Sequence, residues 1–170
     1  SQPDFIENAF TVEFEQYANP YLTGRKKFPT VPISPGTFLS KGDAGKDAEE
    51  QKAVQDMGYQ KLCGILIWAC RGTMCECCFA VSQLCKLMSC PSYKVFDRGI
   101  QLLAYMYSVR ERGIVFRGDG NPEPIIMCDA SFKVDPYTGK TQYGIHVLLY
   151  GGPIVSVSKK IPHVSLSTPH

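Results

Sequence analysis

One change of period governs what this chain can fold into. As far as Gly113 its clearest apolar pattern recurs at intervals of three and four, the spacing of helices with a buried face. Beyond Gly113 the apolar residues alternate or run together, as they do in strands. A chain that uses one period and then the other is expected to be α+β, with helices first and an antiparallel sheet after them.

The helical period is clearest from Tyr59 onward. Tyr59 to Ala69 is dense in Leu, Ile and Trp and predicts a buried helix ending near Gly72. Cys78, Val81, Cys85 and Met88 lie three and four apart and predict a second helix over about 77–88, stopped by Pro91. Ser92 is placed to cap a third helix, which runs to about Arg112 on the stripe Val95, Gly99, Leu102, Leu103 and Met106. Arg110 and Arg112 complement the dipole of its last turn, and Gly113 ends it. Residues 1–52 are expected to be irregular. Pro29, Pro32 and Pro35 crowd one stretch, Phe10 to Phe14 carries a short strand-like alternation, and Ser40 to Glu50 has the composition of a mobile linker.

In the last third, Ile114–Phe116 is β-prone and 118–124 is a turn-rich joint. Ile125 to Cys128, ending in Asp129, has the continuous apolar character of a central strand buried on both faces. Asp135 to Gly139 is a hairpin loop by its turn chemistry, Gln142 to Tyr150 the returning strand, and Val155 and Val157 belong to a third strand beyond Gly151 and Gly152. The resulting division is 1–52, 53–118 and 119–170.

Composition narrows the function. With a net charge of +2, no global basic field advertises a polyanionic partner, so nucleic acid would have to be met by local patches. No apolar run reaches the ~20 residues of a membrane span, and Ser1–Asp4 has no signal-peptide character, so a soluble intracellular chain is expected, cytoplasmic or nuclear. That compartment keeps the eight cysteines as thiols. Cys75, Cys78, Cys85 and Cys90 could in number supply four ligands to zinc, but their intervals are short and Cys78 and Cys85 share a helical face with Val81, so buried thiols are the expectation. The sequence identifies no partner for His146, His163 or His170, and no Ser-His-Asp set, phosphate loop or dinucleotide fingerprint is present.

Several runs, in order, resemble the Pol polyprotein of copia-type LTR retrotransposons: Tyr59-Gln60-Lys61-Leu62-Cys63-Gly64-Ile65-Leu66-Ile67-Trp68, then Phe79–Leu84, Met88–Ser92, Leu102–Tyr105 and Gly113–Phe116. Cys128-Asp129-Ala130-Ser131 and the run from Gly151 to Pro162, followed by Val164–Thr168, continue the likeness, which covers residues 28 to 170. It implies the thumb and connection of a reverse transcriptase followed by the first three strands of a ribonuclease H-like sheet. The ancestral role would be contact with an RNA–DNA hybrid. The family's Arg-Pro-Asp turn is replaced here by Arg71-Gly72-Thr73.

The resemblance also implies that Asp129 is catalytic and a ligand of Mg²⁺, one of two ions about 4 Å apart that clamp a phosphodiester. On the residues alone, Asp129 could equally begin a turn, and Asp119 and Asp135 read as solvated loop residues. The family's catalytic glutamate is expected shortly beyond His170, and the polymerase aspartates upstream. One carboxylate cannot hold two divalent ions against their hydration, so this chain alone is expected to be inactive. Phosphate contacts are expected from Arg110, Arg112, Arg117, Lys133, Lys159 and Lys160, with Arg25–Lys27 as further candidates. Tyr105 and Tyr107 could stack on bases, although packing is the commoner use of such residues. An alternative is a domesticated, non-catalytic remnant serving as a structural or interaction subunit of a larger assembly. A further alternative is an unrelated α+β binding protein.

Overall fold

The computed structural model describes residues 1–118, 122–131 and 140–161. They form an α+β chain of two compact units, Ser1–Arg112 and Gly113–His170, taken here in turn.

In the first unit, of the segment expected to be irregular, residues 2–22 and 48–52 are helical, whereas 23–47, with its prolines, is irregular as expected apart from a 3₁₀ turn over Lys41–Asp43. Helix α1 (Gln2–Asn8) begins with a reciprocal cap between Ser1 and Asp4. A π-helical turn over Ala9–Glu13 follows, and then α2 (Glu15–Leu22). The strand expected at 10–14 is therefore absent. Phe10 and Phe14 are four residues apart and turn the same way into the core, while Val12 between them is 65% exposed. Ile6, Ala9, Phe10, Phe14, Ala18 and Tyr21 are all buried, and their spacing is helical. A five-residue alternation satisfied both periods, and only the longer window decides between them.

The polar stretch from Ser40 to Glu50 is likewise tied down. Its side chains serve as caps and tethers: the Ser92 hydroxyl donates to the Asp43 carbonyl at 2.7 Å, Lys94 pairs with Asp43 at 3.1 Å, and Gly45 N–H donates to the Cys90 carbonyl. Asp47 caps α3 (Ala48–Asp56) by accepting from Glu50 N–H at 2.8 Å.

Three helices then follow as expected: α4 (Tyr59–Arg71), α5 (Cys78–Cys85) and α6 (Tyr93–Ser108). Helix α5 starts and ends a little inside its expected bounds, and α6 unwinds at Val109, short of Gly113. Ser92 accepts from Val95 N–H, as its position predicted, and the expected stripe on α6 is buried. The core of the unit centres on α4, whose Tyr59, Leu62, Cys63, Leu66 and Ala69 are fully enclosed. Gly99 lets α6 approach it closely, for a Cβ there would lie 2.7 Å from Leu62 Cδ2.

The second unit is a three-stranded antiparallel sheet of β1 (Ile125–Ser131), β2 (Gln142–Leu149) and β3 (Gly152–Lys160), in the order β1-β2-β3. Ile114–Phe116 does not form a strand; it is extended chain, and Phe116 packs against Gly152. Among the described residues β1 is an edge strand, and every one of its residues is exposed. This corrects the expectation of a central strand buried on both faces. A continuous apolar run shows only that a strand can be covered, not that the same stretch of chain supplies the cover. Tyr150 and Gly151 join β2 to β3 with φ of 50° and 77°, a two-residue hairpin turn that needs positive φ at both positions. The expected Asp135–Gly139 loop, Asp119, Lys133, His163 and His170 lie outside the described residues.

Two substitutions test this packing. Gly99→Ala is expected to cost about 1–3 kcal/mol by overpacking against Leu62, read as a lower urea midpoint at unchanged slope. Tyr150→Asn relieves a left-handed conformation that a bulky side chain resists and should stabilise the chain by about 1 kcal/mol, measured by thermal denaturation.

Candidate nucleic-acid interface

Helix α4 has a second face. Lys61, Gly64, Trp68 and Arg71 recur at intervals of three, four and three, and all are exposed. Gly64 is the gap in this row, with nothing within 4 Å of where its Cβ would be. Trp68 stands one turn further on, 50% exposed, and Gly64, Ile67, Trp68, Arg71 and Gly72 line a shallow groove. The indole is held from one side, where Phe5 of α1 meets it with ring centroids 4.3 Å apart. Helix α1 is itself fixed to the end of α4. The Gln2 side-chain amide donates to the Ala69 carbonyl at 2.8 Å and accepts from Thr73 N–H at 3.0 Å. Gly72 leaves room for that amide, since a Cβ there would collide with Gln2 Oε1. The glycine that replaces the family's Arg-Pro-Asp turn therefore has a packing role in this chain.

This row was not singled out in the sequence because Tyr59–Ala69 was read only as a buried helix. The signal was present: when projected on a helix, Lys61, Gly64, Trp68 and Arg71 fall together as a cation, a gap, an aromatic and a second cation. Such a strip offers a flat surface to a base or sugar, with charges placed for phosphates. Lys61 is engaged with Glu13 at 3.0 Å, on the surface, where such a pair exchanges readily for another anion.

The basic residues expected to meet phosphates are divided between the two units, Arg110 and Arg112 in the first and Arg117, Lys159 and Lys160 in the second. Arg110 is folded back onto its own unit: its guanidinium lies 4.1 Å over the Tyr107 ring, Nη1 donates to the Tyr107 carbonyl, and Nε is 3.6 Å from Glu7. Arg112 is exposed and bonds to the Tyr105 phenol, whose pKa is raised chiefly by burial. Tyr107 belongs to an aromatic cluster with Phe10 and Phe28, and Tyr105 is buried, so both rings are spent on packing. Lys26 pairs with Asp97 at 3.6 Å and lies over the Tyr21 ring. Arg117, Lys159 and Lys160 belong to the sheet unit. There the strand alternation places Lys160 on the same face as Asp129, and Lys159 on the other.

Asp129 is the fifth of seven residues in β1, paired with Gly144, which in turn faces Ser158. Its Oδ1 accepts from Ala130 N–H at 2.8 Å. Its face of the sheet also carries Ser131, Gln142, His146, Ser156 and Ser158. His146 Nδ1 and Ser156 Oγ are 2.6 Å apart, and the Gln142 amide donates to Ser158. The opposite face, with Ile126, Cys128, Ile145, Val147, Val155 and Val157, is apolar. Among the described residues no group of three or more His, Cys, Asp or Glu side chains could hold a metal ion. Asp129 alone does not fit Mg²⁺, which requires several oxygen ligands in octahedral array, and the four cysteines considered for zinc do not gather either. Among the described residues no helix is long and apolar enough to cross a membrane.

The chain is similar to the Gag-Pol polyproteins of the Ty1-DR5, Ty1-LR2 and Ty1-LR3 transposons of Saccharomyces cerevisiae, each at 26% identity over 168 residues, which cover 96% of this chain. The likeness supports a fragment of a copia-type retrotransposon Pol polyprotein. The match takes in 9% of each Ty1 polyprotein, so the chain spans roughly a tenth of the length of these relatives. A coverage of 96% also carries the likeness into residues 1–27, which the motifs quoted from the sequence did not reach. No protein-family model matches the chain, and no solved structure matches it.

Among the described residues Asp129 is the one carboxylate on its face of the sheet, and the purified chain is expected to leave a labelled RNA–DNA hybrid intact in Mg²⁺. Cleavage above that of an Asp129→Ala control would contradict this.

Proposed function

We propose that this chain is the thumb- and connection-like part of a copia-type reverse transcriptase joined to the opening strands of its ribonuclease H, and that it holds an RNA–DNA hybrid on the outer face of α4. The observation that carries the proposal is the open row of Lys61, Gly64, Trp68 and Arg71 on a helix whose other face is locked in the core. Stability does not account for the whole row: Gly64 weakens a helix, and Trp68, although it meets Phe5, leaves half its surface in water. The likeness to Ty1 Gag-Pol supplies the context in which such a row meets a duplex. On this reading the gap at Gly64 admits the edge of the sugar-phosphate backbone, Trp68 packs on a sugar or base, and Arg71 and Lys61 neutralise phosphates. Asp129 is then one ancestral ligand of a divalent-ion site whose other carboxylates come from beyond the described residues.

Because Trp68 is the chain's one tryptophan, its fluorescence reports on this surface alone. Titration with a short RNA–DNA hybrid should quench it and shield it from iodide, with an affinity that falls steeply with salt. Trp68→Ala should weaken binding by about 1–3 kcal/mol, measured by anisotropy of labelled hybrid. Arg71→Ala should lower the salt slope by about one. Gly64→Val should abolish binding while the fold is retained. Unchanged affinity in all three variants would overturn the proposal.

A further inference from the structure

Helices α4 and α5 carry cysteines at matched intervals: Cys63 and Cys70 on α4 are seven residues apart, as are Cys78 and Cys85 on α5. Two helical turns separate the members of each pair, so each helix presents both thiols on one face. The helices are joined by a short connection and run antiparallel, which sets Cys63 against Cys85 and Cys70 against Cys78. Cys78 Sγ lies 3.8 Å from the Cys70 carbonyl oxygen, to which it donates, so the second pair is in direct contact. All four are reduced.

Each rung sets a buried thiol against a partly open one, Cys63 against Cys85 and Cys70 against Cys78, and the two differ in their surroundings. Cys63 is fully buried beside Tyr59, whose hydroxyl donates to the Leu84 carbonyl at 2.9 Å. The Cys70–Cys78 rung closes the mouth of the connection, and Cys78 is partly open to solvent. Cys78 is also the first residue of α5, where the helix dipole favours a thiolate. The side-chain contact with Cys70 holds the Cys78 thiol below its ordinary range, assisted by Arg71 and opposed by burial and Glu76. The same contact, together with burial, pushes Cys70 up. One partner is thus poised as nucleophile and the other as resolving thiol.

We infer that Cys70 and Cys78 form a peroxide-sensitive site that closes to a disulfide across α4 and α5. The Cys78 thiolate attacks one oxygen of hydrogen peroxide. The O–O bond breaks, the departing hydroxide takes a proton to leave as water, and Cys78 becomes a sulfenic acid. The sulfur of Cys70 then attacks that of Cys78, forming S–S. Cys70 gives up its proton and the sulfenic hydroxyl leaves as a second water. The two thiols lose two electrons and the peroxide gains them.

The full chain is treated with hydrogen peroxide, blocked and digested with trypsin without reduction. Cleavage after Lys61, Arg71 and Lys86 puts Cys63 and Cys70 on one peptide and Cys75, Cys77, Cys78 and Cys85 on another. The inference expects these two peptides joined, the bond placed at Cys70–Cys78 by fragmentation, two of the eight thiols lost, and full reversal by dithiothreitol. Cys75→Ser and Cys85→Ser should keep the link, and Cys78→Ser should lose it. A bond placed first at Cys63–Cys85, a bond to Cys75 or Cys77, or addition of oxygen without any cross-link would overturn the inference. Because the mapping is made on the unaltered chain, it stands even where a variant fails to fold.

Discussion

The close approach of α4 and α6 at Gly99 is the constraint on which the helical unit depends. With no side chain at Gly99, Leu62 drops into the space and α4 is drawn in until its inner face is sealed. Helices α1, α3 and α5 then pack on the same helix, and the capped segment from Ser40 to Glu50 is pinned between Cys90 and Lys94. Helix α4 is therefore held firmly along its inner face while Lys61, Gly64, Trp68 and Arg71 on its outer face are open. Rigid support beneath an exposed row is what a positioning surface needs, because order lost on binding has already been given up on folding.

How much of this was legible depended on the length of the signal. Helix α4, the Ser92 cap, the stripe on α6 and the turn before β3 were readable because each combines a period with a stop or a cap. The N-terminal helices were missed because Phe10, Val12 and Phe14 fit a strand when taken alone, and Ile6, Ala18 and Tyr21 decide the matter only over a longer stretch. The docked segment 40–50 was missed because its Ser, Asp and Gly have the composition of free linker. Their use as caps and tethers depends on Asp43 meeting Ser92 and Gly45 meeting Cys90 in space, which no local pattern states.

The candidate site was legible in the opposite sense. The resemblance directed attention to Asp129, while the open row of Lys61, Gly64, Trp68 and Arg71 lies on a helix whose apolar density points only to its buried face. Arg110, Tyr105 and Tyr107 were plausible contacts by type but are consumed by packing at the end of α6, where an aromatic cluster needed rings and a cation to lie over one of them. Residue type alone cannot distinguish a cation used inward from one held outward. The sheet unit makes the same point: strand alternation separates Lys160 from Lys159, although the two are adjacent in sequence.

Gly64 has a further implication for how this chain tolerates change. A glycine in the middle of a helix forgoes about 1 kcal/mol relative to alanine, and here no neighbouring atom demands it. Drift governed by folding alone would readily exchange it for alanine. Persistence of glycine at this position across descendants of the element would therefore record a pressure from outside the polypeptide, and its replacement in a lineage would mark the point at which that pressure ceased.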